Sequence, residues 1–250
     1  MTAEPKAHSS RPELPDASAS AGEEVLLFSA GLDSFPAWYF LGKPPVLYVD
    51  SGHYGRRQEI DTVRALAAAN GMDLTISEEL DLSAWATPQG DLIPFRNVFF
   101  ALLAGLRADV IWCVGVRGDR TADKSPEAFA RMSELLTAFA GRPIRVDSPF
   151  WDKTKTEIVA WYLNAGLPED ALLQTFSCAT PGDAFEHCGQ CPSCLRRWIA
   201  LVNNGITGQF AHDPWTWEQV ATYYVPAMAG GRYPPHRVQE FQRAMATVTG

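Results

Sequence analysis

The sequence holds no apolar run near the roughly 20 residues that a helix needs to cross a bilayer, so no membrane span is expected. Its first residues, MTAEPKAHSSRPELPDASASAGEE, lack an apolar core between a basic start and a cleavage site, so they do not read as a secretory leader. Basic residues are scarce, 21 Lys and Arg against 29 Asp and Glu, for a net charge of −8. That balance argues against broad binding to nucleic acid, which depends on cations neutralising phosphates. Cysteine is scarce too, but four of the five fall between Cys178 and Cys194. With no export signal, such a cluster suits a metal site in a reducing cytoplasm better than a disulfide framework. No Gly-Lys-Ser/Thr step follows a glycine loop and no G-x-G-x-x-G is present, which removes the Walker A and dinucleotide-binding readings. No internal repeat is visible either.

What is present alternates. Residues 1–23 are rich in Pro, Ser, Ala and acid and read as a disordered tail. From residue 25 onward, apolar runs and amphipathic stretches take turns. VLLFS, VLYVD (Val46 to Asp50), MDLTIS, VIWCVGV (Val110 to Val116) and Pro143 to Val146 read as strands. Helices are expected up to Phe40, over 59–70 closed by Gly71, over 96–107, over 126–140 ended by Gly141, and over 154–165 stopped at Gly166. This pattern predicts an α/β fold, a doubly wound and mostly parallel sheet, with ligands outside the carboxyl ends of the strands. The expected division is a 24–170 α/β domain and a 171–250 cysteine-bearing, helical region packed on it. The late aromatics Trp215, Trp217, Tyr223, Tyr224 and Tyr233 suit core or homodimer contacts better than a platform for stacked bases, since few cations lie among them.

The first chemical motif is Ser29-Ala30-Gly31-Leu32-Asp33-Ser34, directly after an apolar strand. A strand that turns tightly into a helix gathers free backbone N–H groups at a dipole's positive end, and so makes an anion site. Ser29 and Ser34 add hydroxyls, and Gly31 permits close backbone approach to an oxygen. The motif resembles the PP-loop of the ATP pyrophosphatases, Ser-Gly-Gly-x-Asp-Ser, with Ala30 replacing a glycine. Alanine is tolerated there at little cost if its φ is negative and at more cost if it is positive.

The second motif is FSCATPGDAFEHCGQCPSC, which sets Cys178 nine residues before Cys188, with Cys191 and Cys194 at steps of three. Four soft ligands at this spacing can close a tetrahedral shell around a structural Zn²⁺, with an iron–sulfur cluster as the alternative. Gly189 suits the turn between ligands, and Ser193 is a candidate cap for the helix LRRWIALV. His187 is a poorer ligand candidate beside Cys188, and Cys113 reads as a small buried residue in a strand.

Together the two motifs resemble the 7-cyano-7-deazaguanine synthase (QueC-type) family over about residues 24–204. Tyr54-Gly55-Arg56-Arg57 with Glu59, Pro94-Phe95-Arg96-Asn97, Gly115-Val116 with Asp119, and Lys155-Thr156-Glu157-Ile158 resemble further landmarks of that family in the same order. The resemblance implies an AMP-forming C–N ligase that uses ATP, Mg²⁺ and one structural Zn²⁺ to turn 7-carboxy-7-deazaguanine and ammonia into the nitrile, 7-cyano-7-deazaguanine. It implies nucleotide binding by Phe28, Ser29, Ala30, Gly31, Leu32, Asp33, Ser34, Tyr54, Arg56, Asn97 and Gly115. Lys155 and Arg96 would meet charge on the transferring phosphate, and Asp119 and Asp123 would orient metal, ammonia or the guanine-like edge. Departures gather at Arg117, Lys124, Ser125 and Gln58, where the acceptor would be read. Two other readings therefore stand beside the first: a PP-loop ligase acting on a different carboxylate or joining a deazapurine to another partner, and a nucleotide-binding scaffold without turnover.

Overall fold

The apolar runs pair side by side. The computed structural model describes residues 23–53, 55–85, 93–119, 121–180 and 186–249, so the reading of residues 1–22 as a tail lies outside it. Strands β1 (Glu24–Leu27), β2 (Val46–Val49), β3 (Leu74–Ser77), β4 (Val110–Cys113) and β5 (Arg145–Asp147) form one parallel sheet in the order β3-β2-β1-β4-β5. Register is fixed by pairs such as Leu26 with Val46 and Trp112, and Val46 with Leu74. β1 and β2 are apolar on both faces because helices cover both, as parallel crossovers require.

On one face lie α1 (Ser34–Phe40), α2 (Arg56–Asn70) and α5 (Lys155–Asn164), whose Phe35, Trp38, Val63, Leu66, Ile158 and Tyr162 pack over Leu26, Val46 and Tyr48. On the other lie α3 (Arg96–Gly105) and α4 (Pro126–Ala140), whose Ala101, Ala104, Phe129, Met132 and Leu136 meet Val25, Leu27, Leu47 and Ile111. Gly71 and Gly141 end α2 and α4 in the left-handed conformation, as their positions predict. Thr154 and Glu157 close a reciprocal capping box at the start of α5.

The expected strand to Val116 stops earlier, at Cys113, and Val116 keeps a lone bridge to Phe150. The backbone is diverted there because Ser148 Oγ takes the Gly115 N–H at 2.9 Å and donates to the Gly115 carbonyl at 2.6 Å.

After the short α6 (Glu169–Leu173), the chain reaches the cysteine loop and α7 (Pro192–Val202). A π-turn leads into α8 (Val225–Ala229), and α9 (Pro235–Thr249) follows. Leu195 and Trp198 of α7 bury themselves against Val220, Phe241 and Ala244, with Trp215, Trp217 and Tyr224 packed around them. Most of the late aromatics are therefore core, and Tyr223 is the exposed one. Because the sheet order reverses at β1, the crevice between the ends of β1 and β4 is where a ligand belongs.

Candidate active site and metal centre

At the end of β1 the backbone folds back on itself. The Gly31 N–H donates to Ser34 Oγ at 3.1 Å, and the Ser29 and Ser34 hydroxyls lie 3.3 Å apart. Phe28 and Leu32 are buried beneath the loop. Ala30 is fully buried with φ +53°, the costlier of the two outcomes the sequence left open. A left-handed alanine costs about 1–2 kcal/mol, offset here by a methyl packed into the core under the sheet. Ala30→Gly is expected to change the melting temperature by only a few degrees. Ala30→Val, β-branched in a left-handed site with no room, should cost more than about 2 kcal/mol. Paired thermal melts check both.

The loop faces a cleft of about 600 Å³, within the usual range for a small-molecule site. Phe28, Ser29, Gly31, Leu32, Asp33, Ser34, Arg96, Asn97, Asp119, Asp123 and Lys155 all line it, although they come from positions up to 127 residues apart. Three expected residues, Ala30, Arg56 and Gly115, do not join them. Arg56 turns to Asp50 at 3.4 Å, and Gly115 sits under the Trp151 ring, where a Cβ would lie 2.1 Å from a ring carbon. Tyr54 lies outside the described residues.

Charge inside the cleft runs against that of the chain. Lys124, Lys155, Arg96, Arg196 and Arg237 reach its wall, more cations than the four carboxylates beside them, on a protein of net charge −8. Lys155 is ion-paired with Asp33 of the loop. Burial pushes the Lys155 ammonium down, and the Asp33 carboxylate opposes that shift. The other oxygen of Asp33, Oδ1, is buried and meets no donor among the described residues. A buried carboxylate oxygen without a partner is costly, and a cation is what such an oxygen suits. Asp119 accepts from Arg196 Nη2 at 3.0 Å, from the Val116 N–H at 3.2 Å, and lies 3.3 Å from Lys124 Nζ. Burial would raise its carboxyl, but Lys124, Arg196 and Lys155 outweigh burial and hold it far below the usual carboxylate range.

Asp123 has a different partner from the one expected. Its Oδ2 accepts the Asn97 N–H at 3.2 Å, capping α3 from another loop, because Phe95 at the N-cap offers no side-chain oxygen. Asp123 thus fixes the turn that carries Arg96 and Asn97 into the cleft. Arg117 turns away and makes a two-point contact with Glu157 at 2.7 and 2.8 Å, whereas Lys124 lies in the cleft.

Several wall residues escaped the motif reading. Tyr48, Ser51 and His53 line the cleft mouth with Glu59, whose Oε2 takes the Tyr48 hydroxyl at 3.0 Å and lies 3.2 Å from His53 Nε2. Burial and the adjacent Glu59 push the Tyr48 phenol up. Arg196 had a visible signal, since it stands two residues beyond Cys194 on the helix that the cysteines begin. Arg237, 41 residues further on, had none.

The four cysteines meet as their spacing predicts. The Sγ atoms of Cys178, Cys188, Cys191 and Cys194 lie within 4.8 Å of one another. Cys188 Sγ and Cys194 Sγ are 3.9 Å apart, close to the ~3.8 Å edge of a tetrahedron with Zn–S bonds of about 2.3 Å. Backbone N–H groups of Cys188, Gln190 and Cys194 donate to Sγ of Cys178, Cys188 and Cys191 at 3.5, 3.3 and 3.4 Å, which favours thiolates. The set fits a zinc ion. The cap of α7 is Cys191, not Ser193: the helix begins at Pro192, so the residue before it is the one whose side chain reaches the Cys194 N–H. Gly189 is required twice over, by φ +76° and by the His212 carbonyl, which a Cβ would meet at 1.7 Å. His187 is no ligand. Its Nε2 accepts the Ser177 N–H at 3.2 Å, and burial, with the nearby Arg197 charge, holds it neutral with a pKa of about 3.

The metal centre and the phosphate loop touch. The Phe176 N–H donates to the Ala30 carbonyl at 3.0 Å, and the Leu32 N–H donates to Ser177 Oγ at 3.3 Å, just before Cys178. α7 divides its two arginines between the halves of the molecule. Arg196 reaches Asp119 in the cleft, while Arg197 is buried and donates to Thr175 Oγ1 at 2.7 Å and to the Leu173 carbonyl at 3.1 Å, at the end of α6.

A parallel 3-2-1-4-5 sheet, a Ser-x-Gly-x-Asp-Ser loop at its switch point and a four-cysteine centre together define a Rossmann-like PP-loop protein. The comparisons narrow the class. The family model described as "QueC: Queuosine biosynthesis protein QueC" matches residues 78–205, and the chain belongs to that family. It is similar to the 7-cyano-7-deazaguanine synthase of Marinobacter nauticus, 26% identical over 76% of this chain and 96% of that one. It is also similar to the synthase of Hahella chejuensis, 28% identical over 83% and 98%. The synthase of Methanocaldococcus jannaschii is 32% identical over 52% and 60%. Among the described residues, no helix is long and apolar enough to cross a membrane.

Proposed function

We propose that this chain is an ATP-dependent ligase that converts 7-carboxy-7-deazaguanine and ammonia into 7-cyano-7-deazaguanine. The observation that carries the reading is the pairing of Lys155 with Asp33 of the phosphate loop, in a cleft richer in cations than the rest of the chain. In this reading a carboxylate oxygen of the substrate attacks the α-phosphorus of ATP, the bridge to the β-phosphate breaks, and pyrophosphate leaves. Ammonia then adds to the acyl carbon, a proton is lost, and AMP departs with the C–O electrons, leaving an amide. The amide oxygen then attacks the α-phosphorus of a second ATP, pyrophosphate leaves and one N–H proton is lost; loss of the second N–H proton with departure of AMP gives the nitrile.

The residues divide this work. Ser29, Gly31 and Ser34 cradle the departing pyrophosphate, and Lys155 and Arg196 meet the negative charge that builds on it. Asp33 and Asp119 are the acids placed to hold Mg²⁺, with Asp33 Oδ1 the oxygen left for it. When bound, the ion would neutralise phosphate charge and align the leaving group. Asp123 acts through α3, setting the position of Arg96 and Asn97. The four cysteines hold one zinc as structure, since a closed thiolate shell leaves no position for substrate.

The test is direct. Purified chain with ATP, Mg²⁺, ammonia and 7-carboxy-7-deazaguanine is expected to release AMP and pyrophosphate and to form a product of nitrile mass. AMP release only with another carboxylate would move the reading to a different acceptor, the change for which Lys124 in the cleft is the candidate cause. If every acceptor tried fails to elicit pyrophosphate release, the reading becomes a nucleotide-binding scaffold without turnover.

A further inference from the structure

Lys155 opens α5, so its place is set by the turn just before it. Thr154 caps that helix: its hydroxyl takes the Glu157 N–H at 3.2 Å, and Glu157 Oε2 takes the Thr154 N–H at 2.7 Å. Two residues from elsewhere in the chain grip this turn. Arg117, after β4, holds Glu157 by its two-point contact, and its own N–H donates to the Lys153 carbonyl at 2.8 Å. From the other side comes α9, where Glu240 Oε1 accepts the hydroxyl of the buried Thr154. Asn203, just after α7, donates through Nδ2 to the Glu240 carbonyl at 2.9 Å, so the acid is fixed through its backbone as well. The start of α9 also presses on the Arg117 turn, since a Cβ at Gly118 would lie 2.8 Å from His236 Nε2. One residue further along that turn is Asp119, which faces the cleft.

Resting on the reading of Lys155 as the charge that meets the departing pyrophosphate, we propose that Arg117 and Glu240 are positioning residues for it. They hold the cap of α5 from two sides, so that the ammonium arrives at Asp33 and the phosphate loop. α9, which lies beyond the residues 78–205 matched by the family model, is thereby a working part of the site. Stability alone does not account for the Arg117 contact. The Arg117 and Glu157 side chains are 42% and 48% exposed, and pairs so exposed contribute little to folding. Position matters more here, because a lysine stem has many rotamers and a shift of about 1 Å at a reacting group costs on the order of 10²-fold in rate. Arg117 is also explained as a departure from the family pattern: it braces the helix that presents Lys155 instead of lining the cleft.

Two measurements on the full, zinc-loaded chain test this, and the first needs no turnover. Brief lysine acylation read by peptide mass is expected to modify Lys155 about 10-fold faster in Glu240→Ala than in the wild type, the effect of one lost hydrogen bond. Lys43, remote from the cap, should react as before. In the second, kcat for pyrophosphate release should fall about 10-fold in Glu240→Ala and in Arg117→Gln, with KM for ATP within about twofold. Glu240→Gln keeps an acceptor oxygen for the Thr154 hydroxyl and should restore most of both signals. In a Lys155→Met background neither change should lower turnover further, because the group they act through is gone. Arg117→Gln, at an exposed pair, serves alone should Glu240→Ala fail to fold by near-ultraviolet circular dichroism. Unchanged acylation of Lys155, or an equal loss of turnover with and without Lys155, would overturn the proposal. Faster acylation in a chain that turns over with no acceptor would uphold the positioning of Lys155 and remove the ligase reading instead.

Discussion

Lys155→Met is expected to lower kcat/KM for pyrophosphate release by 10²- to 10³-fold, the cost of losing one preorganised charge in a water-poor site. Lys155 is held against Asp33, at the start of α1, in a cleft that already carries Arg196 and Lys124. Burial depresses its ammonium, so the charge is kept there at a cost, which a purely structural ion pair would rarely repay. Methionine keeps the length and the apolar stem but leaves Asp33 without its cation. Asp33→Asn, tested beside it, loses both the pair and the carboxylate proposed for Mg²⁺, and should fall at least as far. The double variant should not fall by the product of the two, since both residues serve one group. Turnover within about 10-fold of the wild type in Lys155→Met, with the fold intact, would remove this residue from the chemistry.

The second large effect concerns zinc. Cys191→Ser, or removal of the metal by a chelator, is expected to abolish binding of about one zinc per chain. It should also weaken ATP binding by more than about 10-fold, although no cysteine carries a phosphate-binding charge. Two connections transmit the effect. Phe176 and Ser177, immediately before Cys178, hold the Ala30 carbonyl and the Leu32 N–H of the phosphate loop. Cys191 and Cys194 begin the helix that carries Arg196 to Asp119. Amide hydrogen exchange distinguishes this from general unfolding: Leu32 and Phe176 should lose protection while α4 and β5 keep theirs. A zinc-free chain with unchanged affinity for ATP would show that the two sites are independent.

Both motifs were legible for the same reason: each sits within a short stretch of chain. The loop from Ser29 to Ser34 and the cysteines from 178 to 194 carry their geometry in their spacing. Strand–helix alternation was as plain, since buried parallel strands leave continuous apolar runs. Arg237 comes from a distant helix, and no local pattern marks a residue that packing alone brings to the cleft. The sign of φ at Ala30 depends on how the loop is pressed against Phe176, a contact 146 residues away in sequence. Asp123 shows a different limit. Its type suited metal or substrate, but the capless start of α3 claims it first.

Arg197 has a consequence for how the chain would assemble. It is among the most deeply buried side chains, yet its partners are a hydroxyl and carbonyls rather than a carboxylate. Burial draws the Arg197 pKa down to about 10, and negative charge at Cys194 and Asp33 opposes that shift. Four thiolates around a divalent ion make an anionic complex, so metal and arginine enter the interior as counter-ions. Without the ion, Asp33 is the charge that remains to oppose the burial of the guanidinium, and a buried cation so thinly compensated is costly to enclose. Closure of the C-terminal half would then await metal uptake, making zinc loading the step that commits α7 to its place beside the nucleotide loop.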